Sequence, residues 1–154
     1  WIPLFFLLFY LGYKAFGLNK AIYITILTAF SALTALTIVN LIKNYFQRLR
    51  PINDASINGT IRVIVEYNDF SFVSGHSTVS FSIAFLSFWI LKKNYRFAFL
   101  IFMFPLLFAY SRIYLALHFP IDILFGMFLI KNISAIDFNI TGTVSQIIRA
   151  SDDN

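Results

Sequence analysis

From Ala21 to Ile42 the chain runs 22 residues without a charged side chain. At about 1.5 Å of rise per residue, such a stretch gives a helix of about 33 Å, enough to cross the hydrocarbon core of a bilayer. A helix that is apolar all round must be covered on every face by lipid or by other helices. Its small residues, Ala29, Ser31, Ala32 and Ala35, are expected to let a neighbouring helix come close. Composition points the same way. Of 154 residues, 59% are hydrophobic, 12% are charged and 20 are phenylalanine, whereas a globular domain carries about 25% charged residues. The formal charge of +5 is not the footprint of a nucleic-acid surface, because the basic residues stand singly or in short groups between apolar runs, as topology signals do. No nucleic-acid partner is expected. With no cysteine in the chain, disulfides and thiolate metal sites are excluded.

Five apolar segments can be read: Trp1 to Tyr13, Ala21 to Ile42, Ser74 to Leu91, Phe97 to Tyr110 (continuing through Ser111 and Arg112), and Pro120 to Ile130. The first and last fall short of the roughly 17–25 residues that a spanning helix needs. The first residue is Trp1, so the chain reads as a fragment or a trimmed product with an incomplete first segment. That segment lacks the basic leader and small-residue cleavage site of a signal peptide. Lys14 and Lys20 close it off, Pro105 is expected to kink the fourth segment, and Pro120 opens the fifth. Between Lys43 and Asp69, turn signals stand at Pro51, Asn53-Asp54 and Asn58-Gly59, while Ile61 to Glu66 has the pattern of a short strand. The expected fold is all-α: a polytopic membrane helix bundle of about five apolar helices, with a short extracytoplasmic loop region between helices two and three. Residues 1–131 form the membrane-embedded domain, and 132–154 a polar tail, divergent or truncated. Asn58, Asn132 and Asn139 open formal glycosylation acceptors, a motif too short to carry weight.

Lys14, Lys20, Lys92, Lys93, Arg96 and Lys131 fall at one set of helix ends, in short loops without an acid, and the opposite face holds Asp54, Glu66 and Asp69 beside its own basic residues. The positive-inside rule places Lys92-Lys93 in the cytoplasm and the Lys43–Asp69 loop outside. The second segment ends at Lys43, the third begins near His76, the fourth ends at Arg112 and the fifth begins at His118. All four ends share the outer face, so their polar residues can converge. Within that set an arginine can clamp an anionic oxygen, a histidine can act as nucleophile or base, and an aspartate four residues on can orient it. The combination suits chemistry on a phosphate. Each residue also has a plainer use. Lys43, Arg48 and Arg50 serve equally as interfacial anchors, Ser74 as an N-cap with His76 beside it, and Asp122 as a charge complementing a helix dipole. Arg48 and Arg62 read as surface or headgroup contacts.

The spacings narrow the choice. Lys43 is followed after six residues by Arg50-Pro51; Ser74-Gly75-His76 comes next; then Ser111-Arg112, five residues, His118, three residues and Asp122. This set resembles the three-part signature of the type 2 phosphatidic acid phosphatase family, which shares its site with the vanadium haloperoxidases and whose core normally has six helices. It departs at Val73, where the family usually has a proline that shapes the loop and carries no catalytic group. The resemblance covers roughly Ala21 to Ile130 and looks most like bacterial members. It implies a membrane-bound phosphatase, needing no cofactor and no metal, that cleaves a lipid phosphate monoester or diphosphate of the phosphatidic acid, phosphatidylglycerol phosphate or undecaprenyl diphosphate type. In it His118 forms a phosphohistidine, Asp122 accepts from the His118 ring, and His76 protonates the leaving oxygen and then activates water. Lys43, Arg50, Arg112 and the backbone at Ser74 and Gly75 bind the phosphate. The implied location is the bacterial inner membrane with the site on its extracytoplasmic face. A lipid phosphotransferase, a haloperoxidase on the same residues and a catalytically impaired membrane scaffold are the alternatives. Nothing in the sequence signals an oligomeric state.

Overall fold

The computed structural model describes residues 2–56, 59, 69–131 and 142. The strand expected over Ile61–Glu66, the three glycosylation acceptors and all of the tail but Gly142 fall outside them. Among the described residues the chain is all-helical. Helix α1 spans Ile2–Phe16 and α2 spans Leu18–Phe46. Only Gly17 separates them, at φ 84°, its N–H bonded to the Tyr13 carbonyl at 2.9 Å. That positive φ is cheap for glycine alone, so the turn needs no more of the Lys14–Lys20 stretch than this one residue. Helix α2 therefore outruns the charge-free segment at both ends and carries Lys20 and Lys43 within it. It stops where Gln47 takes a left-handed conformation and donates its N–H to the Lys43 carbonyl at 2.9 Å, a common way to end a helix.

A short 3-10 turn, Pro51–Asn53, precedes α3, Gly75–Leu91. Then a second 3-10 turn, Ala98–Phe102, leads into α4, Met103–Tyr114. Pro105, expected to kink the fourth segment, stands two residues after the segment changes from 3-10 to α winding. It lies in the first turn of α4, where the N–H it lacks would have had no helical partner in any case. Helix α5 occupies 120–131.

Helix α3 is the centre of the bundle, packed against α2, α4 and more lightly α1. Serine and alanine make this possible. Ser77, Thr78, Ser80, Ser82, Ala84 and Ser87 are all buried, and their small side chains let helices approach on several sides. On α2 the matching seam is Thr28, Ser31, Ala35 and Val39, and the Ser31 and Ser82 hydroxyls hydrogen-bond across it at 2.8 Å. Ala29, expected on this seam, faces outward instead, since it lies off the stripe that Ser31 and Ala35 share. One apolar cluster joins Leu4 and Leu8 of α1 to Ile83 and Leu91 of α3; a second joins Ala35 of α2, Phe81 of α3, Ala109 of α4, and Ile123 and Ile130 of α5.

The outside is oily. Phe6 is 71% exposed, Phe128 66% and Phe30 63%, among many large apolar side chains left outside, which suits lipid and not water. Helix α2 is long and apolar enough to cross a membrane.

Helix α5 reaches α3 at Gly126. A Cβ there would overlap the Thr78 hydroxyl and meet the Val73 side chain at 3.1 Å. Gly126→Ala is expected to cost about 2 kcal/mol through overpacking, read as a lower unfolding temperature in detergent. Gly75→Ala is the control, because its Cβ would meet only Val39, at an ordinary 3.5 Å.

Candidate functional site

The end of α4 sets up the site. Its last turn closes with Leu115 N–H on the Ser111 carbonyl at 3.0 Å and Ala116 N–H on Ile113 at 2.9 Å; then Leu117 N–H reaches back to the Arg112 carbonyl at 3.1 Å. Ala116 takes φ 52°, a left-handed conformation that costs an alanine about 1 kcal/mol. It is held there because Ala116 and Leu117 are packed with Ile52. The chain is thereby reversed, and His118 is delivered to the floor of a cavity at only 3% exposure.

The tautomer of His118 follows from its partners. Nδ1 lies 2.7 Å from the Ser71 carbonyl, and Nε2 lies 3.3 Å from Arg50 Nη1. A carbonyl only accepts and a guanidinium only donates. The neutral ring therefore carries its proton on Nδ1 and its lone pair on Nε2. Burial pushes the imidazole below its usual 6.5; the Arg50 and Lys43 charges push the same way, against the opposing pull of Asp122 and the Ser71 carbonyl.

Asp122 stands differently from the expectation that it accepts from the ring. Its Oδ2 is 3.8 Å from His118 Nδ1, because the ring proton is already given to Ser71. Oδ2 instead accepts the Phe119 N–H at 2.9 Å. With Phe119 just before Pro120, this is the reach of a third helical residue back to the N-cap amide. Oδ1 accepts from Arg48 Nη1 at 3.1 Å, and the Asp122 carbonyl accepts the Ser74 N–H at 3.3 Å. Fully buried, Asp122 ties α5, the α3 entry and the α2 exit together. Arg48, expected at the surface, is exposed there, and from that position it is also the partner of this carboxylate, its guanidinium 4.1 Å from the centre of the Phe119 ring.

The cavity, about 330 Å³, is lined by Lys43, Arg50, Asp69, Gly75, His76, Arg112 and His118, with an apolar side of Leu36, Val39 and Val79. The structure thus brings six of the eight expected site residues to one concavity. Ser74 and Asp122 lie behind it. Ser74 occupies the N-cap position of α3 but makes no side-chain cap; its hydroxyl donates to Ser77 at 3.0 Å, so neither it nor its amide is turned to the cavity. Gly75 and His76 do line it, so the α3 N-terminus, with first-turn amides that a helix cannot satisfy internally, opens onto it. His76 is exposed, its ring stacked on Phe108 at 6.3 Å and 11°. Arg112 has its Nε buried without a hydrogen-bond partner. An orphaned cationic donor on a cavity wall is a natural seat for an anion.

Asp69 was missed as a site residue; the charge pattern used it only as a marker of the outer face. Its carboxylate bridges Lys43 Nζ at 3.0 Å and Arg50 Nε at 2.7 Å. Burial works against its ionisation, but the hydrogen bonds from Lys43 and Arg50 prevail and hold it below the usual carboxylate range. Ser71 was also missed, since a main-chain acceptor leaves no trace in residue identity.

The family described as the PAP2 superfamily matches residues 20–130. Among solved structures, the chain is similar to the crystal structure of a transmembrane PAP2 type phosphatidylglycerolphosphate phosphatase from Bacillus subtilis. The TM-score is 0.66 at 19% identity, over 93% of this chain and 69% of that one. No curated protein matches the sequence.

Proposed function

We propose, for a chain that belongs to the PAP2 superfamily, that the cavity is the active site of an integral-membrane lipid phosphatase working through a phosphohistidine. The observation that carries this reading is the pairing of a buried imidazole, its Nε2 lone pair beside Arg50, with the unsatisfied Arg112 Nε on the same cavity. His118 and Arg112 then line one cavity. Phosphoryl transfer is mostly positioning plus stabilisation of equatorial charge, and Lys43, Arg50, Arg112 and the α3 N-terminus supply both without a metal. The His118 Nε2 lone pair attacks phosphorus while the bond to the lipid oxygen breaks, and protonated His76 gives that oxygen its proton. Water then loses a proton to His76, attacks phosphorus, and releases phosphate with Nε2 restored. The apolar wall of Leu36, Val39 and Val79 suits the start of an acyl or prenyl tail. Residues 1–131 form the working domain; the likeness to bacterial members suits an inner-membrane protein, and the positive-inside pattern favours a site on its outer face.

The test is phosphate release from phosphatidic acid, phosphatidylglycerol phosphate and undecaprenyl diphosphate in detergent, with and without a chelator, across pH. Release from at least one lipid, insensitive to chelation, is expected. No release from any of them, or release abolished by chelation, overturns the reading. The lowered basicity of His118 keeps Nε2 unprotonated below 6.5, so the acid limb it sets lies below that value. Folding responds in the same direction: the unfolded ring takes up its proton first, so this contribution is complete above 6.5 and is lost as pH falls toward the native value.

A further inference from the structure

Building on the phosphatase reading, we propose that Asp69 sets the headgroup charge this site accepts, favouring a dianionic phosphate monoester over the more highly charged diphosphate. Three cations face the cavity from the described residues, Lys43, Arg50 and Arg112. Two of them are already bridged by a single carboxylate, Lys43 through Oδ2 and Arg50 through Oδ1. The remaining cation near His118, Arg48, is committed to Asp122. With His76 neutral, the described cavity therefore offers an incoming anion about two net positive charges, one more than this when His76 carries its proton, and one more again if Asp69 is removed. A phosphate monoester carries close to two negative charges at neutral pH, and a diphosphate carries more.

Depth makes the selection effective. The Lys43 and Arg50 side chains are 13% and 5% exposed, whereas that of Asp69 is 53% exposed. The carboxylate thus stands nearer the solvent than the cations it pairs with, beside the path of any group projecting from the cavity. Arg50 is held from its other side as well, with Nη1 donating to the Leu117 carbonyl at 2.8 Å. It cannot swing away to leave Asp69 behind. Arriving phosphate must share Lys43 and Arg50 with this acid, and every additional ligand charge meets its repulsion at short range, where screening is weak.

The experiment uses the full chain in detergent and two ligands that need no turnover: inorganic phosphate, and methylenediphosphonate, a diphosphate analogue that cannot be cleaved. Calorimetry is expected to show that the parent protein prefers phosphate. In Asp69→Asn the affinity ratio is expected to move about tenfold toward the diphosphonate, and in Asp69→Glu to stay near the parent value. Turnover of phosphatidic acid against a polyprenyl diphosphate should shift in the same sense. An unchanged ratio in Asp69→Asn overturns the proposal. So does a parent that binds the diphosphonate tenfold more tightly than phosphate, an outcome that does not depend on the variant folding. If the parent cleaves neither lipid yet the preference and its shift persist, the phosphatase reading falls and the charge selection by Asp69 stands.

Discussion

His118→Ala is expected to lower phosphate release by about four orders of magnitude, the scale on which removal of a covalent nucleophile is felt. The fold should survive. The ring is held by the Ser71 carbonyl and by Arg50, and truncating it leaves Arg50 its bonds to Asp69 and Leu117. The measurement is rapid quench of the detergent-solubilised protein with labelled lipid phosphate. The parent should accumulate an acid-labile, base-stable phosphoenzyme, as expected of a phosphorus–nitrogen bond, and the variant should show none. Retained turnover in His118→Ala would remove the nucleophile from the scheme. Retained labelling would place the covalent bond on another residue.

The second large effect is expected at Arg48, which lies outside the motif and is half-exposed. Its guanidinium pairs with a carboxylate that has no solvent exposure at all. Arg48→Ala strands that charge, leaving the Phe119 amide and, at 3.8 Å, the His118 ring as its nearest help. Breaking one side of a buried pair costs about 3 kcal/mol. The stranded Asp122 should also make His118 easier to protonate, shifting the acid limb of the rate profile upward. Asp122→Ala should shift it downward, because the pull of the carboxylate on the ring is removed. The double variant is expected to be more stable than the sum of the two singles predicts, since the pair acts as a unit. Thermal unfolding and pH–rate profiles of the three variants check this. A limb that stays put in both singles would leave Arg48 a structural anchor only.

What could be read in the chain beforehand follows from the range of each interaction. Arg112, His118 and Asp122 lie within one helix end, one turn and one helix start, so their spacing alone carries them to the same place. Lys43 and Gly75 mark helix ends, and alternating apolar segments put those ends on one face. Asp69 was not legible as a site residue because its role arises from contacts 26 and 19 residues back, with Lys43 and Arg50. In the charge pattern it looked like any acid on the outer side. Arg48 sits two residues before Arg50, and nothing local says that one guanidinium goes to the cavity and the other beneath Phe119. Helix ends fall where the apolar pattern does not mark them: Gly17 makes a turn alone, and α4 begins at Met103, midway along an apolar run, with Pro105 in its first turn.

The acceptor that fixes the His118 ring belongs to the peptide backbone. Side-chain replacement at Ser71 leaves that carbonyl in place, and the Ser71 hydroxyl is itself buried without a partner. The orientation of the His118 ring is thus inherited from the path of the chain between Asp69 and Ser74. It should tolerate small replacements such as Ser71→Ala or Ser71→Gly, since the side chain is fully buried. It should not tolerate a change of length in that segment, where inserting or deleting one residue would redirect the carbonyl and turn the imidazole while every motif residue remained present.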